Sequence, residues 1–372
     1  MPKRDPLTQR QTDLWNSVSS RSEWHGRKKH PGQFHGLGLR RLYDFYFLRK
    51  LSINVYPSSK DHSLTLPIVD PSLDTPQLPL VFNVLALYWG EDLASHISEK
   101  ARVQYKAVRG SVLIEGIEVA EKNGFQSMMY KSNMKDIKKT IDQGIPIITI
   151  LPGIQDLVQH ATIVCGYEPQ ERRILTYVPE QDKQGAVPEK RFEQEWEEDD
   201  TTSIILIPSD MAEIVSDRDF KFQNSNRACL VAERLRLKGD IVKAVEELSG
   251  AVSMDGDNPN AWYALGSAYS DQKSDSAIEC YRKAIHLNKR YNLAYRGLGN
   301  YYLKNEQYDF ADEWYSMAID INPVRFGPIY KNRAFARLKS GKGSVKEDLE
   351  KYLRYMPGAT DRISVQQAIK EL

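Results

Sequence analysis

The feature that most limits what this chain can fold into is an internal repeat. The stretch NAWYALGSAYSDQKSDSAIECYRKAIHLN (260–288) aligns with NLAYRGLGNYYLKNEQYDFADEWYSMAIDINP (292–323), at a period close to 34 residues. Trp262 matches Tyr295, Leu265 matches Leu298, Gly266 matches Gly299, Tyr269 matches Tyr302, Ala277 matches Ala311, and Ala284 matches Ala318. Large residues at these offsets fill the space between two paired helices, and small ones let the helices approach. A weaker unit precedes the pair, at about 225–258, and another follows, at about 327–357. A single unit cannot bury its apolar face alone. Four stacked units exceed the roughly three needed for a continuous core.

This repeat is similar to the tetratricopeptide unit, so residues 220–372 are expected to form an all-α solenoid of about four helix pairs. In such arrays the first helix of each pair turns certain positions to a concave face. Here these are Glu233 and Arg236, then Arg296, Asn300, Leu303 and Lys304, then Lys331, Phe335 and Lys339. Arg296 and Asn300 stand one turn apart and resemble the pair with which some chaperone-binding repeats clamp a peptide carboxylate. The candidate peptide-binding residues are therefore Arg296, Asn300, Lys304, Lys331 and Lys339. The implied ligand is an acidic or C-terminal peptide on a protein partner.

The region 61–212 reads differently. Five prolines between residues 57 and 80 predict an extended lead-in. LPLVFNVLALYWG then reads as a buried helix stopped by Gly90, and SVLIEGIEVAEKNGF as a second, capped by Ser111 and stopped by Gly124. FQSMMYK is a short strand, NMKDIKKTIDQG a helix capped by Asn133, and the isoleucine-rich IPIITIL a central strand. HATIVCGYE and RRILTYVPE flank a polar turn and predict a hairpin. RFEQEW is a short helix and SIILIPSD a last strand. Helices first and antiparallel strands after them give an α+β domain.

The order of these elements resembles the C39-like cysteine peptidases, which are papain-like enzymes often fused to tetratricopeptide repeats. Tyr88-Trp89-Gly90, the element DIKKTIDQGIPIITIL, His160-Ala-Thr-Ile-Val-Cys-Gly-Tyr and RFEQEW…SIILIPSD are similar to the family's ordered motifs. The resemblance implies a fold of an α+β papain-like domain followed by the solenoid. It also implies where the catalytic groups stand. Counting back from Gly90, the nucleophilic Cys falls on Gln77 and its Gly-Pro on Leu78-Pro79. The oxyanion glutamine falls near Pro71, and the group behind the imidazole on Val178. Only the histidine, His160, persists. A thiol peptidase needs a thiolate beside an imidazole, and an amide is no nucleophile. His160 is thus read as a relic base or a polar group lining an old cleft. Cys165, five residues along the same strand, points to the opposite face and reads as core. An active hydrolase with a displaced nucleophile is the alternative.

Charge separates further functions. Lys plus Arg number 51 and Asp plus Glu 50, a net charge of +1, which argues against a wholly basic nucleic-acid binder. Residues 1–60 form a basic, partly helical extension: the first 50 residues hold 11 Lys/Arg against four Asp/Glu. That extension is a candidate contact for an acidic partner or nucleic acid, and residues 39–51 for a helix. The acidic run Glu193–Asp200 reads as solvated surface. Three cysteines far apart form no disulfide framework or zinc spacing. No cofactor motif and no transmembrane run is found, so the expectation is a cytoplasmic, non-catalytic adaptor or assembly subunit.

Overall fold

The computed structural model describes residues 62–70, 78–96, 113–153, 159–180 and 184–372. The expected basic extension with its helix at 39–51, and the positions Pro71, Gln77 and Ser111, lie outside the described residues.

The first part is α+β. Helix α1 (Leu80–Tyr88) is followed by a short 3-10 turn, then α2 (Leu113–Lys122), β1 (Phe125–Lys131), α3 (Met134–Asp142), β2 (Ile147–Pro152), β3 (Gln159–Glu168), β4 (Arg173–Tyr177), β5 (Gln184–Pro188), α4 (Glu189–Glu197) and β6 (Thr202–Pro208). Helix α3 starts where the Asn133 side chain accepts from the Asp136 N–H, and the chain leaves it through Gly144 at φ +80°. The six strands form one antiparallel sheet in the order β1-β6-β2-β3-β4-β5. Every residue of β2 is buried, as its unbroken apolar run requires. Strand β5 was not foreseen: its five residues, with Gly185 and a terminal proline, carry little strand signal and pair only at the sheet edge.

The sheet divides two cores. On one face α1 and α2 pack through Phe82, Leu85, Ile114 and Ile117 against Ile148, Ile163 and Ile204. On the other, α3 and α4 pack through Ile137, Phe192 and Trp196 against Ile147, Leu151 and Val164. The lead-in crosses β3 at Gly166, where Tyr167 N–H donates to the His62 carbonyl at 2.8 Å. A Cβ on Gly166 would stand 2.7 Å from that carbonyl oxygen.

The second part is helical: α5 (Gln223–Leu237), α6 (Ile241–Met254), α7 (Pro259–Asp271), α8 (Ser276–Leu287), α9 (Asn292–Lys304), α10 (Tyr308–Ile321), α11 (Pro328–Ser340), α12 (Val345–Tyr355) and α13 (Arg362–Glu371). The pairs α5/α6, α7/α8, α9/α10 and α11/α12 stack in order, and α13 closes the stack against α12. The expected small-against-large fit is present: Gly266 lies under Tyr281, and its counterpart Gly299 under Tyr315.

A Cβ on Gly299 would stand 2.5 Å from Cδ1 of Tyr315, whereas one on Gly250 in α6 meets nothing within 4 Å. Overpacking costs about 1–3 kcal/mol and replacing a helical glycine gains about 1 kcal/mol. Chemical denaturation is therefore expected to show Gly299→Ala less stable than the native chain and Gly250→Ala more stable. Equal shifts in one direction would refute the packing argument.

Candidate functional site

The acidic run was expected to lie in solvent, and the structure corrects this. Glu198, Asp199 and Asp200 are each 1% exposed. They form the turn between α4 and β6, in which Asp200 and Thr201 adopt left-handed φ values of 55° and 51°. The turn is held by Thr201 N–H on the Trp196 carbonyl at 3.0 Å and Thr201 Oγ1 on the Ser132 carbonyl at 2.8 Å. Its carboxylates face the junctions between helix pairs. Arg325, itself buried, donates Nη1 to Glu198 Oε2 at 3.1 Å and Nη2 to Asp199 Oδ1 at 2.7 Å. Asn322 Nδ2 adds a bond to Glu198 at 3.1 Å, and Asn288 Nδ2 donates to the Glu197 carbonyl at 2.8 Å. Lys131 Nζ meets Asp200 at 2.5 Å from within the α+β part. The two parts also meet where Arg227 pairs with Glu121 and Arg234 with Glu118.

His160 lies beside this junction. Its neighbour Gln159 donates to Asp199 at 2.5 Å. Alternation along β3 sets His160 on the α4 face: its ladder partner Leu151 packs with Phe192 and Trp196, while Ala161 and Ile163 face α1. His160 Nδ1 donates to the Pro152 carbonyl at 2.9 Å, and its Nε2 is buried without a partner among the described residues. Burial pushes the imidazole down to about 4; the Pro152 bond opposes this and the nearby charge of Arg325 adds to it. The ring is neutral at pH 7.

The other sequence-derived positions separate. Val178 is buried at the end of β4. Cys165 is buried with Sγ 3.7 Å from the Leu175 carbonyl, and burial pushes its thiol up to about 12. Arg296, expected on an open concave face, is only 8% exposed, a correction with a clear cause: its guanidinium lies 4.5 Å from the centre of the Phe326 ring, beside the buried junction. Asn300 accepts a bond from the Tyr315 hydroxyl at 2.7 Å. Arg236 is paired with Asp271 at 2.7 Å and Lys331 with Asp361 at 2.8 Å. Lys304, Phe335 and Lys339 are exposed, and Lys339 Nζ lies 5.6 Å from the Phe335 ring centre. Sequence reasoning missed Arg325, Asn322 and Asn288. The only signal was charge, a basic residue at the repeat junction and an acidic run more than a hundred residues away.

Among the described residues, no group of three or more His, Cys, Asp or Glu is arranged to hold a metal. No helix among them is long and apolar enough to cross a membrane.

Two outcomes follow for the junction. Removing one partner of a buried pair costs about 3–5 kcal/mol because the other charge is left uncompensated. Arg325→Ala is expected to lose that much in chemical denaturation, and a change below about 1 kcal/mol would refute the role assigned to Arg325. Burial raises Glu198 to about 7, against the pull of Arg325. A raised carboxyl favours folding most at low pH, and that contribution is lost as pH rises through 7. Relative to the native chain, Glu198→Gln should therefore gain stability between pH 5 and pH 8 in thermal unfolding; a constant difference would contradict the assigned burial.

Residues 90–204 match the model of the Peptidase_C39 like family, and residues 259–291 that of the tetratricopeptide repeat. The first match begins after α1, so position 77 lies outside it. Tetratricopeptide repeat protein 37 of Xenopus laevis is 33% identical over 75 residues, 20% of this chain and 5% of that protein. Anaphase-promoting complex subunit 3 of Schizosaccharomyces pombe is 30% identical over 96 residues, 26% of this chain and 14% of its own length. The chain thus spans a small fraction of the curated relatives it matches. Among solved structures, Pseudomonas aeruginosa PilF is 20% identical with a TM-score of 0.36, covering 40% of this chain and 70% of that one. This chain therefore carries a Peptidase_C39-like domain followed by tetratricopeptide repeats.

Proposed function

We propose that the chain is a non-catalytic protein-interaction or assembly subunit, in which a C39-like domain without peptidase activity is joined to a tetratricopeptide array. The observation that carries this reading is the state of the groups a thiol peptidase needs. A nucleophilic thiol has a lowered pKa, yet burial pushes Cys165 and Cys229 up to about 12 and Cys280 up to about 11. The imidazole of His160 is committed to Pro152 through Nδ1, and its Nε2 is enclosed. The repeats and the relatives that share them support protein partners. Three unpaired cysteines support a reducing compartment, the cytoplasm. The division into residues 1–60, 61–212 and 220–372 belongs to this reading.

The partner face is the part of the array away from the buried junction. Lys304, Phe335, Leu338 and Lys339 are exposed, and Lys339 Nζ lies 5.6 Å from the Phe335 ring centre, which suits a peptide carrying acidic and apolar side chains, while Lys331 Nζ is held by Asp361 at 2.8 Å. Two measurements test the proposal. Thiol- and serine-directed probes are expected not to label the native protein; labelling that vanishes in His160→Ala would replace this reading with that of an active hydrolase. In fluorescence anisotropy with a panel of acidic peptides, the double variant Lys304→Glu/Lys339→Glu should bind at least tenfold more weakly. Unchanged affinity would remove the assigned face.

A further inference from the structure

Short turns join the helices of the array, so neighbouring helices run antiparallel. The turns within pairs, at 238–240, 272–275, 305–307 and 341–344, therefore lie at one edge of the array, and the turns between pairs at the other. The second edge is taken: Asn288, Asn322 and Arg325 hold the acidic turn of the α+β part there. The first edge faces away from that contact, and most of its turn residues are exposed.

Each first helix brings one lysine to this free edge. Lys238 and Lys273 follow the ends of α5 and α7, Lys304 ends α9, and Lys339 is next to last in α11. All four are exposed, and none forms an ion pair with a carboxylate among the described residues. A leucine precedes three of them, Leu237, Leu303 and Leu338, of which the first and last are exposed. The acidic side chains nearby are engaged: Asp240 with Lys243, Asp271 with Arg236, Asp309 with Lys342, and Asp275 with the Tyr301 hydroxyl. Among the described residues of these turns, Glu306 is the one carboxylate without a partner. The edge therefore carries an excess of uncompensated positive charge, distributed one lysine to a pair.

That distribution has a spacing. The first helices of successive pairs touch one another in order, and packed helices stand about 8–10 Å apart. An extended partner must present its charges at the same interval. A β-strand returns to one side every second residue, after about 7 Å. A polyproline II segment returns every third residue, after about 9 Å, and so matches the row. We infer that this edge binds an acidic segment of a partner protein in polyproline II form, with Asp or Glu at every third position and apolar residues between them. The inference rests on the protein-interaction reading and extends its acidic ligand from the last two pairs to all four.

The probe is a fluorescein-labelled Glu-Pro-Val-Glu-Pro-Val-Glu-Pro-Val-Glu peptide, titrated into the full chain. Its control, Glu-Glu-Glu-Glu-Pro-Val-Pro-Val-Pro-Val, has the same composition and charge without the period. Saturable binding of the probe and about fivefold weaker binding of the control is expected. Lys238→Glu/Lys273→Glu, which alters exposed side chains of the first two pairs alone, should weaken the probe about fivefold, as two lost surface ion pairs allow. Equal binding of both peptides, or a probe affinity unchanged in Lys238→Glu/Lys273→Glu, overturns the inference. If that variant has no effect while Lys304→Glu/Lys339→Glu weakens acidic peptides, the face assigned above stands and only its extension along the array falls. Saturable binding to phosphatidylserine vesicles with binding to neither peptide also overturns it and assigns the lysines to a lipid surface.

Discussion

Arg325 between Glu198 and Asp199 is the contact on which the arrangement of the two parts depends. All three side chains are at most 2% exposed. Charges removed from water this completely are tolerated only with opposite charges and hydrogen bonds in place, so the pair is strongly selective for one geometry. The two flanking asparagines satisfy what Arg325 leaves over. Asn322 reaches the second oxygen of Glu198, and Asn288 takes the last carbonyl of α4. A helix end that would otherwise leave carbonyls orphaned is thereby closed by the repeats. The left-handed pair Asp200–Thr201 is the local strain that this closure offsets.

This docking shapes the chemistry of the C39-like domain. His160 sits where a strand end meets the junction, and Arg325 adds positive charge nearby. Both burial and that charge disfavour an imidazolium, the form a general base must adopt after taking a proton. The α1 helix, which in the resembled peptidases opens at the nucleophile, packs on the other face of the sheet. The tautomer and surroundings of a histidine decide what it can do.

The same docking redistributes the interaction surface. The junctions at the N-terminal ends of the repeat helices are taken by the acidic turn, and Arg296 is drawn in with them against Phe326. Lys304, Phe335, Leu338 and Lys339 stay exposed on the last two pairs.

Much of the fold was legible. The period near 34 residues located the helix pairs because small residues at Gly266 and Gly299 must lie beneath Tyr281 and Tyr315, a constraint carried by spacing alone. The isoleucine run of β2 and the caps at Asn133, Gly90 and Gly144 marked their elements through local backbone chemistry. Strand β5 was not legible, because a short edge strand draws its stability from one neighbour. Nor was the acidic turn: a run of carboxylates reads as solvated until a buried cation is brought to it. By itself, then, the sequence determined the two-part architecture and the helical period. Tertiary structure alone decided the burial of Glu198–Asp200, the neutrality of His160 and the loss of Arg296 from the open face. Those depend on charges separated by over a hundred residues meeting where water is excluded, and no local pattern encodes that distance.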